Sequence, residues 1–137
     1  MLEFALSWAL LVALVTGVYQ FGYSFYIYNQ LMTSVSNAAE LGSKMNYDTG
    51  NASAYTTALK NMVLYGDTTA QTTPIVPGLT ASNVNVNVTL ISSIPQDLTI
   101  TITGLQVDAV FTNFTFNGKP RATVVYLGHV VCSGPGC

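Results

Sequence analysis

Charge is what this chain has least of. Of its 137 residues only 7% are charged, against roughly 25% in ordinary soluble domains. The hydrophobic fraction of 50% is not extreme, so Thr, Ser, Asn and Gly take the place of the missing charges. Such a surface is either covered by neighbours or faces an extracellular medium. The net charge of -2 gives no electrostatic reason to expect nucleic acid as a partner. Histidine is nearly absent as well. His129 is the only one, and it lies beside Val130 and Val131 in an apolar run that reads as a strand. A sheet histidine is the expectation there, because a hydrolase triad would also need a nucleophile and an orienting acid close by. Asp48, Asp67, Asp97 and Asp108 fall one at a time, mostly at predicted turns. No EF-hand spacing, phosphate-cradling glycine loop or His/Cys metal set occurs. No enzyme is expected, and no catalytic residue, metal ligand or cofactor site is assigned.

Cysteine is confined to Cys132 and Cys137, with Ser-Gly-Pro-Gly between them. Gly134, Pro135 and Gly136 supply a turn that can bring the two sulfurs together. A small terminal disulfide loop is expected over a metal or redox pair, since the spacing is not Cys-x-x-Cys. A disulfide would imply an oxidising compartment.

What is present is a long apolar beginning. No charged residue occurs between Glu3 and Glu40, and no proline before Pro74. Phe4 to Leu31 is dominated by Phe, Ala, Leu, Val, Trp, Tyr and Ile, longer than the roughly 20 residues that span a bilayer. A cleaved signal peptide would need a basic start and a shorter apolar core. The segment therefore reads as one continuous helix to about Met45, some 65–70 Å long. Its outer part, beyond about Tyr28, turns amphipathic: Tyr28, Leu31, Met32, Val35, Ala38, Ala39 and Leu41 recur at helical spacing. That part can cover the apolar face of a folded domain.

Glu3 carries the most information. An unpaired carboxylate in hydrocarbon costs several kcal/mol, so it must sit near the interface or meet a cation. In a self-assembling array the nearest cation is the α-amino group of Met1 on another copy. The blander reading is that Glu3 favours the helix N-terminus through the macrodipole. Phe4 and Trp8 open an aromatic series that runs through Tyr19, Phe21, Tyr23, Phe25, Tyr26 and Tyr28. Helix packing and interfacial placement account for it better than any conduction role. Gly17 and Gly22 allow close helix approach, or local loosening when helices bundle.

The chain resembles the TadE/TadG-like pilins of the type IV pilin superfamily. The resemblance rests on Leu2-Glu3-Phe4-Ala5-Leu6 and the apolar run, then on Phe21-Gly22-Tyr23 and Asn37-Ala38-Ala39-Glu40-Leu41-Gly42. Lys60 to Gly66, Pro77-Gly78-Leu79 and Asn83-Val84 extend it over about two thirds of the chain. It implies a prepilin cut by a prepilin peptidase, extracted from the inner membrane by pilus assembly machinery and built into an extracellular filament of identical subunits. Adhesion or surface attachment would be the fibre's task. Typical members place the glutamate fifth in the mature chain, whereas here it is third. With no basic leader ahead of it, the expectation is a mature chain starting at Met1. A minor or priming pseudopilin shares the same features. A single-pass anchored binding domain is the reading from another class, but no basic stop-transfer cluster flanks the apolar run.

The expected fold class is α+β, with a helix over 1–46 and an extracellular β-rich head over 47–137. Asp48-Thr49-Gly50 breaks the chain. Ala54, Tyr55, Ala58, Leu59, Met62 and Val63 then predict a short helix capped by Gly66. Thr68 to Asn83 reads as a surface loop. Four strands follow in an antiparallel meander: Val84–Leu90, Leu98–Thr103, Val107–Phe116, and about Arg121 to Val131. Asn117-Gly118 is the expected hairpin turn before the last. Asn51, Asn87 and Asn113 each open an Asn-x-Ser/Thr triplet, a candidate N-glycosylation pattern.

Overall fold

The computed structural model describes residues 2–108 and 113–131. Its longest element is α1, Leu2–Lys44, an unbroken helix of 43 residues and about 65 Å. Nothing in the sequence interrupts it, and Glu3 in its first turn with Lys44 in its last suits the helix dipole. Lys44 also reaches back to Glu40 at 2.7 Å. Two short pieces follow, β1 (Tyr47–Asp48) and α2 (Ala52–Tyr65). The Asn51 side chain caps α2 by accepting from the Ala54 amide, and Gly66 closes it at φ 73. That positive φ is why glycine ends the helix there.

The head's sheet is made of β2 (Val84–Ile91), β3 (Ile94–Asp108) and β4 (Asn113–Val125), antiparallel and in that order. Register runs Asn85↔Thr101↔Arg121 and Asn87↔Thr99↔Thr123. Those residues face outward, while Val84, Leu98, Ile100 and Ile102 are buried under the helices. The burial parity switches along β3, from the even positions 98–102 to Leu105 and Val107. Gly104, at φ 68, sits at the register shift that makes this switch. An extra residue there keeps Leu105 and Val107 on the covered face with Leu98, Ile100 and Ile102.

The meander expected from sequence is corrected in several places. The chain passes from β2 to β3 through Ser92 and Ser93, both at positive φ, as a two-residue hairpin requires. Asn117-Gly118 is not a turn: it lies inside β4, opposite Thr103, at a register shift. Gly118 takes φ 79, and the Asn117 side chain accepts from the Gly104 amide at 3.1 Å. The same positive-φ chemistry has built a bulge instead of a hairpin, because β3 is long enough to pair on to Asp108↔Asn113. The expected third strand is thus split between β3 and β4, and part of it, 109–112, lies outside the described residues. The expected fourth strand stops at Val125. Val130–Val131 forms β5, which pairs in parallel with β1. His129 precedes β5 as an exposed loop residue, not a sheet histidine.

The core unites the upper part of α1 with α2 and the sheet. Ile27, Leu31, Val35, Ala38 and Ala39 are buried on α1, against Tyr55, Leu59 and Val63 of α2 and Leu98, Ile100 and Ile102 of β3. Each large apolar side chain fully buried this way contributes about 1.5–3 kcal/mol. Met32, expected in this stripe, is exposed; the stripe follows 27, 31, 34, 35, 38, 39, 42 and 43 instead. Small residues at its end let α1 approach closely. A Cβ on Gly42 would stand 2.5 Å from Leu98 Cδ2 and 2.9 Å from Leu59 Cδ1. The helix's last carbonyls, which have no partner within a helix, are taken up by the head. Tyr55 Oη donates to Gly42 O at 2.6 Å, and the Leu127 amide donates to Ser43 O at 2.8 Å. The loop 67–83 carries no regular structure but is held by buried Val76 and Leu79.

Candidate assembly interface

Below Ile27 the cover over the helix thins, and below Thr16 the helix becomes a bare stem. From Glu3 to Val15 every residue is exposed, with Phe4 at 75% and Trp8 at 61%. Exposure on all sides of an apolar helix is untenable in water, since each large side chain forfeits the transfer energy the core collects. It is the one helix among the described residues long and apolar enough to cross a membrane. Its hydroxyls are already provided for. Ser7 Oγ donates to Glu3 O at 2.9 Å, Thr16 Oγ1 to Val12 O at 2.7 Å and Ser24 Oγ to Gln20 O at 2.9 Å. These bonds four residues back let polar side chains sit in hydrocarbon without an orphaned donor.

The sequence-predicted site residues divide into three groups. Glu3, Phe4, Trp8, Gly17 and Gly22 all lie on the stem. Phe4 and Trp8 stack at 6.4 Å between ring centroids, so an aromatic pair begins at the residue next to Glu3. That carboxylate forms no ion pair with any described residue. A Cβ on Gly17 or Gly22 would meet nothing within 4 Å. Both are open notches in the stem, not contacts already filled. Asn51, Asn87 and Asn113 are scattered over the head, all exposed. Asn51 already serves as the α2 cap, and its Oδ1 accepts from Ser53 Oγ at 3.0 Å. Met1, Cys132 and Cys137 lie outside the described residues.

The head offers a different chemistry from the stem. Tyr126 joins two distant stretches of chain: its hydroxyl lies 2.7 Å from Met45 O and 3.0 Å from His129 O, and accepts from the Tyr47 amide at 2.8 Å. Burial pushes its pKa up. Burial likewise raises Tyr55 well above the usual phenol range, helped by the nearby Tyr126 and Tyr47 hydroxyls. Both phenols are held neutral in hydrogen bonds that lock the top of α1. Asp67 is pulled low by the Thr69 amide and hydroxyl, which it accepts at 2.9 and 3.0 Å. These arrangements fasten the chain together. No group of three or more His, Cys, Asp or Glu suited to a metal gathers among the described residues. Sequence reasoning overlooked the back-bonded stem hydroxyls, although Ser7, Thr16 and Ser24 in an apolar helix could have signalled them. It also overlooked Tyr126, whose partners lie up to 81 residues away and leave no local trace.

A bare apolar stem carrying a compact α+β head defines a class of proteins that anchor in a membrane through the N-terminus. Residues 1–40 match the family of TadE-like proteins. The match covers the stem and most of the stripe by which α1 enters the head. No curated protein matches the chain. No solved structure matches it either.

Proposed function

We propose that the protein is a pilin, a structural subunit that polymerises through its stem into an extracellular filament. The observation that carries this reading is the exposure of the stem from Glu3 to Val15 beside a head whose own core is complete. In the membrane the stem faces lipid. In the filament it faces other stems, so the hydrophobic cost of leaving the bilayer is small. Gly17 and Gly22 are places where a neighbouring helix can come close, and the Phe4–Trp8 pair supplies broad apolar area. Glu3, at the lower end of the stem, meets a cationic group on a neighbouring copy and so sets the register. The partners are identical subunits, the membrane before assembly, and a prepilin peptidase with its assembly machinery. The fibre would serve adhesion or surface attachment.

The test is Glu3→Ala. Yield of sheared surface fibres should fall at least about tenfold, equivalent to about 1.4 kcal/mol per contact, while the head unfolds at the same temperature as before. Normal fibre yield would remove the register role. Mass spectrometry of the sheared material identifies whether this chain is the bulk component. A trace quantity would favour a priming pseudopilin, and absence from the fibres an anchored binding domain.

A further inference from the structure

The head reaches lower on α1 than its core requires. Tyr23 packs against the core from the partly buried set. Phe116 of β4 stacks on Tyr28 at 6.2 Å. Lower still, Phe114 faces Gly17, Gln20 and Phe21 across a cleft of about 220 Å³. As β4 runs back towards Asn113 it therefore descends the stem. Between Glu3 and Gly17 the helix rises only about 21 Å, whereas the hydrocarbon of a bilayer is about 30 Å thick. Glu3 holds the lower end, because a carboxylate stays at the interface. Tilting the helix would shorten the free span further. About 9 Å of an unthinned bilayer thus has no bare stem to occupy, starting at the level where Phe114 and Phe21 are exposed.

We propose that the Phe114 end of the β3–β4 pair is a lipid-contacting collar, seated at the boundary between headgroups and acyl chains of the outer leaflet. This rests on the reading that the stem spans a membrane before assembly. Aromatic rings suit that boundary, and the stacked Tyr19 and Tyr23 lie at the same height on α1. Asp108 and Asn113, paired at the lower end of the sheet, are both exposed. They require headgroups or water beside them, which suits the boundary and not the acyl interior. The mismatch is met by thinning of the bilayer around the stem. No Lys or Arg lies among the described residues of this end, so the contact needs no anionic lipid.

The experiment uses the full chain in phosphatidylcholine vesicles, with Trp8→Phe as background and Phe114→Trp as reporter. Tryptophan emission should shift to the blue. Lipids brominated near the headgroup should quench it at least twofold more than lipids brominated deep in the chain. Thr115→Trp, an exposed neighbour, repeats the test should Phe114→Trp not fold. Leu127→Trp, at the opposite end of the head, should stay unquenched. Water-like, unquenched emission from both position 114 and position 115, with Trp8 of the unaltered chain quenched, would overturn the collar while leaving the spanning stem intact. An unquenched Trp8 would sink the spanning stem, and the collar with it.

Discussion

One helix serves two environments, and the two halves of α1 solve different problems. The upper half buries a narrow stripe, Ile27, Leu31, Val35, Ala38, Ala39 and Gly42, and leaves Asn29, Gln30, Ser36 and Asn37 on the rest of its surface. Its side chains shrink towards the top, because they must fit between Leu59 and Leu98. The lower half buries no stripe at all. Its large residues point in every direction, and its few hydroxyls are bonded back to their own helix. The upper half has one permanent neighbour. On the proposed function, the lower half meets many interchangeable ones. On that reading the buried residues of α1 from Ile27 upward stabilise the fold, whereas the exposed ones from Phe4 to Val15 serve the assembly.

The sharpest way to break that comparison is to truncate one leucine in each region. Leu98→Ala, under the upper half, should cost the head about 3–5 kcal/mol in denaturant unfolding, as a fully buried leucine does. Leu10→Ala should change the same measurement by less than about 0.5 kcal/mol, yet reduce fibre yield. Equal effects on head stability would erase the distinction. Next in size is Tyr126→Phe, which removes the hydroxyl that gathers Met45, Tyr47 and His129. A loss of about 1–3 kcal/mol is expected from the groups left unpaired.

The same phenols give a pH signature. Tyr55 and Tyr126 have folded-state pKa values raised above the unfolded value by burial. Ionisation is therefore easier in the unfolded chain. Their contribution is fully present below about pH 10, the ordinary tyrosine value, and is lost as pH rises beyond it. A urea midpoint that holds steady from pH 8 to pH 10 and falls above it is the expected profile. In Tyr126→Phe the fall should be shallower.

Much of this division could be read from the residues alone. The absence of charge from Phe4 to Ala39 and of proline before Pro74 specified the length of α1 to within a residue or two. Ala54 to Val63 with Gly66 specified α2. The Val/Asn alternation of 84–88 specified β2 and its covered face. The sheet's turns were less legible. Ser92 and Ser93 occupy positions where Asn-Gly is the usual signal, so the real hairpin was silent. Asn117-Gly118 gave that signal at a bulge. The parity switch at Gly104 hid the true length of β3, and the two-residue pairing of β1 with β5 is too short to have a period. For the stem, composition told that it must be covered but not how far down the head would reach. Phe114 and Gly17 are nearly a hundred residues apart, and only the descending β4 brings them to one level.

Ser92→Asn with Ser93→Gly places residues that accept positive φ where the hairpin needs it. A gain of about 1 kcal/mol in head stability is expected, with no change in fibre yield. A loss would mean that the serines are held there by contacts the hairpin geometry does not reveal.

The central claim is that the lower half of α1 trades lipid for copies of itself. The most direct measurement is sedimentation of the full chain as detergent is diluted away. Rapid conversion to large, helix-rich assemblies with the head still folded is the expected result. A monodisperse, fully helical monomer in plain buffer would contradict it.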